Sequence, residues 1–147
     1  MKNEMPCSDA WLLLATIYAA QEKPASLEDV IAAADYIQHD IVTFEEMEGA
    51  LGRLSSGGYL LYSQGKLSPS EKTLAFYRSI TRPRRKVHDE EKDLERFIGA
   101  AGWDRASCAQ SAHVGVSFSA LTRPAFEAAV ESYLGRPPKI TGVRKKK

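Results

Sequence analysis

The residues able to do covalent or metal chemistry are few: Cys7 and Cys108, with His39, His88 and His113. Cys108 and His113 stand five apart in the Ala/Ser-rich stretch ASCAQSAH. A thiol nucleophile needs a base within hydrogen-bond reach and a third group to orient that base, and spacing along the chain supplies neither. A tetrahedral zinc site needs closely spaced ligand pairs, and these five residues contain none. The phosphate-binding and dinucleotide-binding glycine patterns and H-E-x-x-H are also missing from the sequence. Structural cysteines and histidines are therefore expected. The chain reads as non-enzymatic, with no catalytic residue, metal or cofactor.

Charge carries more information. The net charge of +1 over 147 residues hides an asymmetry. Residues 1–80 hold six Lys/Arg against eleven Asp/Glu, a balance of −5, whereas residues 81–147 hold fourteen against eight, a balance of +6. The cations cluster at Arg82, Arg84, Arg85 and Lys86 and again from Arg144 and Lys145 to Lys147. Such runs attract phosphate without reading sequence, and a solvated linker or tail has the same composition. Tyr59, Tyr62 and Tyr77 have faces on which bases could stack, but their places beside a glycine stop and a hairpin suit packing.

The elements that must position these groups follow from caps and periodicity. Ser8 or Asp9 caps a first helix to about Gln21, with Trp11, Leu14, Ala15 and Tyr18 on one face, and Lys23-Pro24 ends it. Ser26 opens a second helix, whose Leu27, Val30, Ile31, Ala34 and Ile37 recur at three-and-four spacing. Thr43-Phe44-Glu45-Glu46 is a full capping box opening a third helix with a stripe of Phe44, Met47, Leu51 and Leu54. Gly57-Gly58 stops it with a left-handed turn. A strand from Tyr59 to Ser63, a turn at Gln64-Gly65-Lys66 and a return strand from Leu67 follow. Ser68 and Glu71, with Pro69 at the first helical position, open a fourth helix through Ile80.

TRPRRK at 81–86 breaks both periodicities and marks a boundary. Beyond it, 89–101 and 123–134 read as helices. Val114 to Leu121 alternates like a short strand, and 140–143 as an extended segment. The expected class is α+β, mainly α, with an N-terminal domain at 1–80, a basic linker at 81–87 and a helical extension with a basic tail at 88–147.

The segment ALGRLSSGGYLLYSQGKLSPSEKTLAFY resembles the recognition-helix, wing and following-helix part of MarR-like winged helix-turn-helix regulators, over residues 9–80. There a leucine-containing helix ends in glycine, a short hairpin follows and a Leu-Thr-Pro-like turn starts the next helix. Glu71 stands where such sequences commonly carry glycine, and the wing tip offers one cation, Lys66. The resemblance implies double-stranded DNA as partner, the third helix in the major groove and the wing along the backbone. Arg53, Ser56, Lys66, Arg82, Arg84, Arg85, Lys86, Arg144 and Lys145 are then the candidate contacts of a transcriptional regulator.

Yet the outward set expected on the third helix is Glu45, Glu46, Glu48, Gly49, Gly52, Arg53 and Ser56, which brings three carboxylates toward phosphate. Cap and helix-dipole chemistry accounts for Glu45 and Glu46 better than cytosine recognition does. The alternative is a winged-helix adaptor that offers Glu45 and Glu48 to a basic protein partner. The two amphipathic helices after residue 87 suggest a homodimer through 88–135. The longest apolar run, WLLLATIYAA, is about half a bilayer crossing. Two widely spaced cysteines suggest a reducing, cytoplasmic setting.

Overall fold

The computed structural model describes residues 5–104 and 118–136. The expectations placed on Cys108, His113, Arg144, Lys145, the first half of the 114–121 strand and the 140–143 segment lie outside the described residues, and 118–121 is a turn rather than a strand.

Helix α1 is Cys7–Ala19, and eleven of its thirteen residues are buried. It packs against the second, third and fifth helices and the return strand, so an all-round apolar sequence is what its position requires. It starts one residue before Ser8, with Pro6 at the N-cap and no side-chain cap bond. Asp9 does not cap because its carboxylate is held by Arg53, and the Ser8 hydroxyl is buried without a partner. α2 is Leu27–Gln38, where Ser26 accepts from the Asp29 amide, and His39 ends it in a left-handed conformation at φ 56°.

α3 is Phe44–Ser56 and carries both halves of the capping box. The Glu46 amide donates to the Thr43 hydroxyl at 3.1 Å, and the Thr43 amide donates to the Glu46 carboxylate at 2.9 Å. The two glycines after it do different work. Gly58 supplies the left-handed turn at φ +78°, whereas a Cβ on Gly57 would lie 2.8 Å from the Tyr59 ring. Strands β1 (Leu60–Ser63) and β2 (Lys66–Pro69) form an antiparallel hairpin pairing Leu60 with Pro69 and Tyr62 with Leu67. Its tip, Gln64-Gly65, has positive φ at both residues, as a two-residue hairpin turn requires. On the other edge of β2, Leu67 and Ala25 exchange two backbone hydrogen bonds of 2.8 Å, fixing the hairpin to the α1–α2 connection.

The fourth helix, α4, is Glu71–Ile80, and its cap is Ser70 rather than Ser68. Pro69 is the last residue of β2, opposite Leu60, so ladder pairing carries the chain past the earlier serine before the helix begins. α5 is Val87–Ile98, starting before Asp89 and stopped at Gly99, φ +76°, before Ala101 is reached. α6 is Arg123–Leu134, with Thr122 as cap and Pro124 in the first turn. The class is mainly α, with six helices and one two-stranded sheet among the described residues.

One apolar cluster runs from Ala10 in α1 through α2, α3 and the hairpin to Leu94 and Ile98 in α5, Leu121 and Phe126, and α4 packs partly buried Phe76 and Tyr77 against it. Phe97 of α5 stacks on Phe76 of α4 at 4.2 Å and meets Tyr59 edge-on at 5.4 Å. The 81–86 stretch is thus a turn between helices that share a core. α5 packs on α1 and α6 on α2 of the same chain, though Leu134 of the α6 face is 63% exposed. Cys7, at the start of α1, is 1% exposed. No helix among the described residues is long and apolar enough to cross a membrane.

Leu51 is 1% exposed in the α3 stripe. Leu51→Ala is expected to lower unfolding stability by about 2–5 kcal/mol in a urea titration, the range for a buried leucine that leaves a partly relaxed cavity. A loss within experimental error would show that α3 does not pack as described.

Candidate functional site

The side of α3 that faces away from α1 is narrower and less basic than periodicity suggested. Glu46, Gly49 and Gly52 are buried, Glu45 and Ser56 are exposed, and Glu48 is half-buried. Glu46 turns inward because its carboxylate closes the cap on Thr43. Arg53 is turned toward α1. Its Nε and Nη2 donate to the two oxygens of Asp9 at 2.7 and 2.9 Å, with the aspartate fully buried and the arginine side chain only 12% exposed. Burial pushes the Asp9 carboxyl up, and the guanidinium pulls it back. A two-toothed fork of this kind fixes geometry, and it removes Arg53 from the set available to phosphate.

The other candidate contacts divide. Ser56, Lys66, Arg82, Arg84 and Lys86 are exposed. Arg85 is held within the fold, donating to the Ile80 carbonyl at 2.7 Å and to Asp93 at 2.6 Å. Of the three tyrosines, Tyr59 packs on Phe97 and beneath the Lys72 ammonium, and Tyr77 donates to Glu90. Tyr62 is partly exposed and meets Phe118 edge-on at 5.3 Å.

The first turn of α3 is engaged by α6. Arg123 reaches back from the first turn of α6 to Glu45, 2.7 Å away, and its guanidinium lies 4.4 Å from the centre of the Phe44 ring. Phe126 meets Phe44 edge-on at 5.8 Å and is the one buried side chain within α6. Farther along, Ser132 and Tyr133 donate to Glu28 and Asp35 of α2 at 2.6 Å each. Arg136 spans Glu28 at 2.6 Å and Asp29 at 3.2 Å. The Ser132 hydroxyl, and then Arg136, hold the Glu28 carboxyl below its ordinary value. One aromatic anchor between two arginines thus seats a mostly exposed helix on the acidic side of α2 and α3.

A second group of charges escaped the sequence reading. Glu90, Glu91 and Glu95 of α5 are all buried. A signal was present, since Val87, Glu91, Leu94, Glu95 and Ile98 fall on one helical stripe and two of the five are acidic. Glu90 is fully served: Tyr18 and Tyr77 donate to Oε1 at 2.6 and 2.9 Å, and Thr81 to Oε2 at 2.7 Å. Burial raises the pKa of both tyrosines, so both remain hydroxyl donors at neutral pH. Among the described residues no group of three or more His, Cys, Asp or Glu side chains is arranged to hold a metal ion.

No family model, characterised protein sequence or solved structure matches the chain.

Arg53→Ala should lower stability by about 3–5 kcal/mol at neutral pH, because it leaves the Asp9 carboxylate buried and unpaired. Without its partner, Asp9 titrates further above its ordinary 3.8 in the folded state. The folded variant then binds more protons than the unfolded chain across that window, so its stability falls as pH rises through it. The deficit against wild type should be largest near pH 7 and shrink toward about pH 4. Urea midpoints at several pH values measure this, and a pH-independent deficit would contradict it.

Proposed function

We propose that residues 7–69 form a winged helix-turn-helix that serves as a non-enzymatic protein-interaction module, its α2–α3 face taking a basic helical segment. The order helix, bridged residue, helix, helix, hairpin supports the architecture, with Ala25 as the short first strand beside β2. The observation that carries the function is the seating of α6: two arginines and a phenylalanine occupy the side of α2 and α3 that a DNA reader would turn to the major groove. Glu28, Asp29, Asp35 and Glu45 on that side repel phosphate and attract guanidinium. Arg53, the cation nearest the middle of such a reading surface, is paired with Asp9. The DNA-regulator reading retains exposed Ser56, Lys66, Arg82, Arg84 and Lys86, which are the residues its test must implicate.

A labelled peptide spanning residues 121–136, titrated into full-length Arg123→Ala/Arg136→Ala protein, provides the test. In that variant the chain's own helix is weakly held, so saturable peptide binding is expected. It should weaken several-fold when Glu28 and Glu45 become Gln, and again when salt is raised to about 0.5 M. Generic duplex DNA should give no complex with the wild type at low salt. Duplex binding with a steep salt slope that flattens when Arg82, Arg84 and Lys86 are neutralised, together with no peptide binding, would replace this reading with the regulator.

A further inference from the structure

A groove enclosing about 760 Å³ opens between the C-terminal end of α2, one side of α5 and the segment after it. Gln38, His88, Glu91, Glu95, Ala100 and Trp103 form its working wall. The segment is held in place by a parallel bridge from Met5 to Ala100, and Trp103 rests edge-on against Trp11 at 5.0 Å. The indole is therefore fixed by the core rather than by the groove. The volume is that of a small-molecule site.

The two carboxylates on this wall are treated unlike their neighbour. Glu90, equally buried, receives three hydroxyl donors. Glu91 is 2% exposed, and its Oε1 accepts from Gln38 at 2.7 Å and lies 3.4 Å from His88 Nδ1. Its Oε2 is closed to bulk water and has no hydrogen-bond partner. Glu95, one turn on and 8% exposed, accepts from the Trp103 peptide N–H. Burial pushes both carboxyls up, and Glu95 rises further because Glu91 is beside it. Purely structural burial would favour full hydrogen bonding or an apolar residue, since an unsatisfied buried acceptor is costly.

Lys92 and Arg96 pull the Glu95 carboxyl down and His88 does so for Glu91, but burial outweighs them. Arg96 is directed to Asp93 at 2.5 Å with its side chain 75% exposed, and Lys92 is exposed, so water and salt screen both. His88 is also largely exposed.

From this geometry we infer that the groove is a binding site for a small organic cation, a guanidinium or primary ammonium on a short aliphatic stem, with the charged head at Glu95, held there also by the charge of Glu91 one turn away, and the stem against Trp103 and Ala100. A carboxylate accepts two parallel bonds from a planar donor fork, a second buried carboxylate beside it strengthens the attraction, and an indole on the same wall suits a cation. The apolar wall suits a carbon stem, which a hydrated metal ion lacks.

The probe is n-butylguanidinium, with n-butylurea as its neutral near-isostere and blocked arginine (N-acetyl-arginine amide) as a third arm. Tryptophan fluorescence and calorimetry are read on the full chain. Saturable one-to-one binding of butylguanidinium is expected, with butylurea at least roughly tenfold weaker, the factor one lost charge-assisted hydrogen bond produces. Glu95→Gln should abolish that preference while its circular dichroism remains native. Glu91→Gln, read the same way, serves if the first variant fails to fold. Blocked arginine binding more tightly than butylguanidinium would assign the site to an arginine side chain of a peptide, and the reverse to a free amine or guanidine. No saturable binding, equal affinity for the urea, or an unchanged preference in the folded glutamine variants would overturn the proposal.

Discussion

The orientation of α3 depends on a buried ion pair. Asp9 enters the core on a helix that is surrounded on every side, and its charge is tolerable there only because Arg53 meets both oxygens. The desolvation of such a pair cancels much of its attraction, so its contribution is geometric more than energetic. With Arg53 drawn inward, α3 cannot rotate about its axis without stranding a carboxylate. Its outward side is left with Glu45, Glu48 and Ser56. Both the acidity of that side and the seating of α6 follow from this single pairing.

The second organising feature is the central place of α1. A helix that touches α2, α3, α5 and β2 leaves little freedom to the elements around it, and the Ala25–Leu67 pairing then sets the hairpin against the α1–α2 connection. α4 and α5 are locked to the hairpin by the Phe76–Phe97–Tyr59 group and to α1 by the hydroxyls converging on Glu90. The C-terminal helices thus complete one core, which explains why no separate apolar nucleus was needed to account for Leu94, Ile98 and Phe126.

Much of the fold was legible because its signals are local. The Thr43–Glu46 box and the apolar periodicity of the 123–134 helix lie within a few residues of the bonds they predict. What failed depended on distant partners. Ser68 and Ser70 are equally good caps in isolation, and only the pairing of Pro69 with Leu60 decides between them. Asp9 looks like a cap and Arg53 like a phosphate contact until they are placed together, although they are forty-four residues apart. The acidic side of α3 was readable from Glu45 and Glu48, but its intramolecular occupant was not, because nothing near Arg123 or Arg136 points to α2 or α3.

The attachment of α6 also sets a limit on whatever else approaches the same side of α2 and α3. A covalently connected occupant competes at a local concentration that dilution of the protein does not change. An outside molecule's apparent dissociation constant is multiplied by one plus the docking constant, so a docking equilibrium of about ten weakens it roughly elevenfold. The ion pairs among the contacts that seat α6 are at least partly open to solvent, so ionic strength weakens them while leaving Phe126 in place. Ionic conditions therefore set how much of that surface is open, independently of how much protein is present.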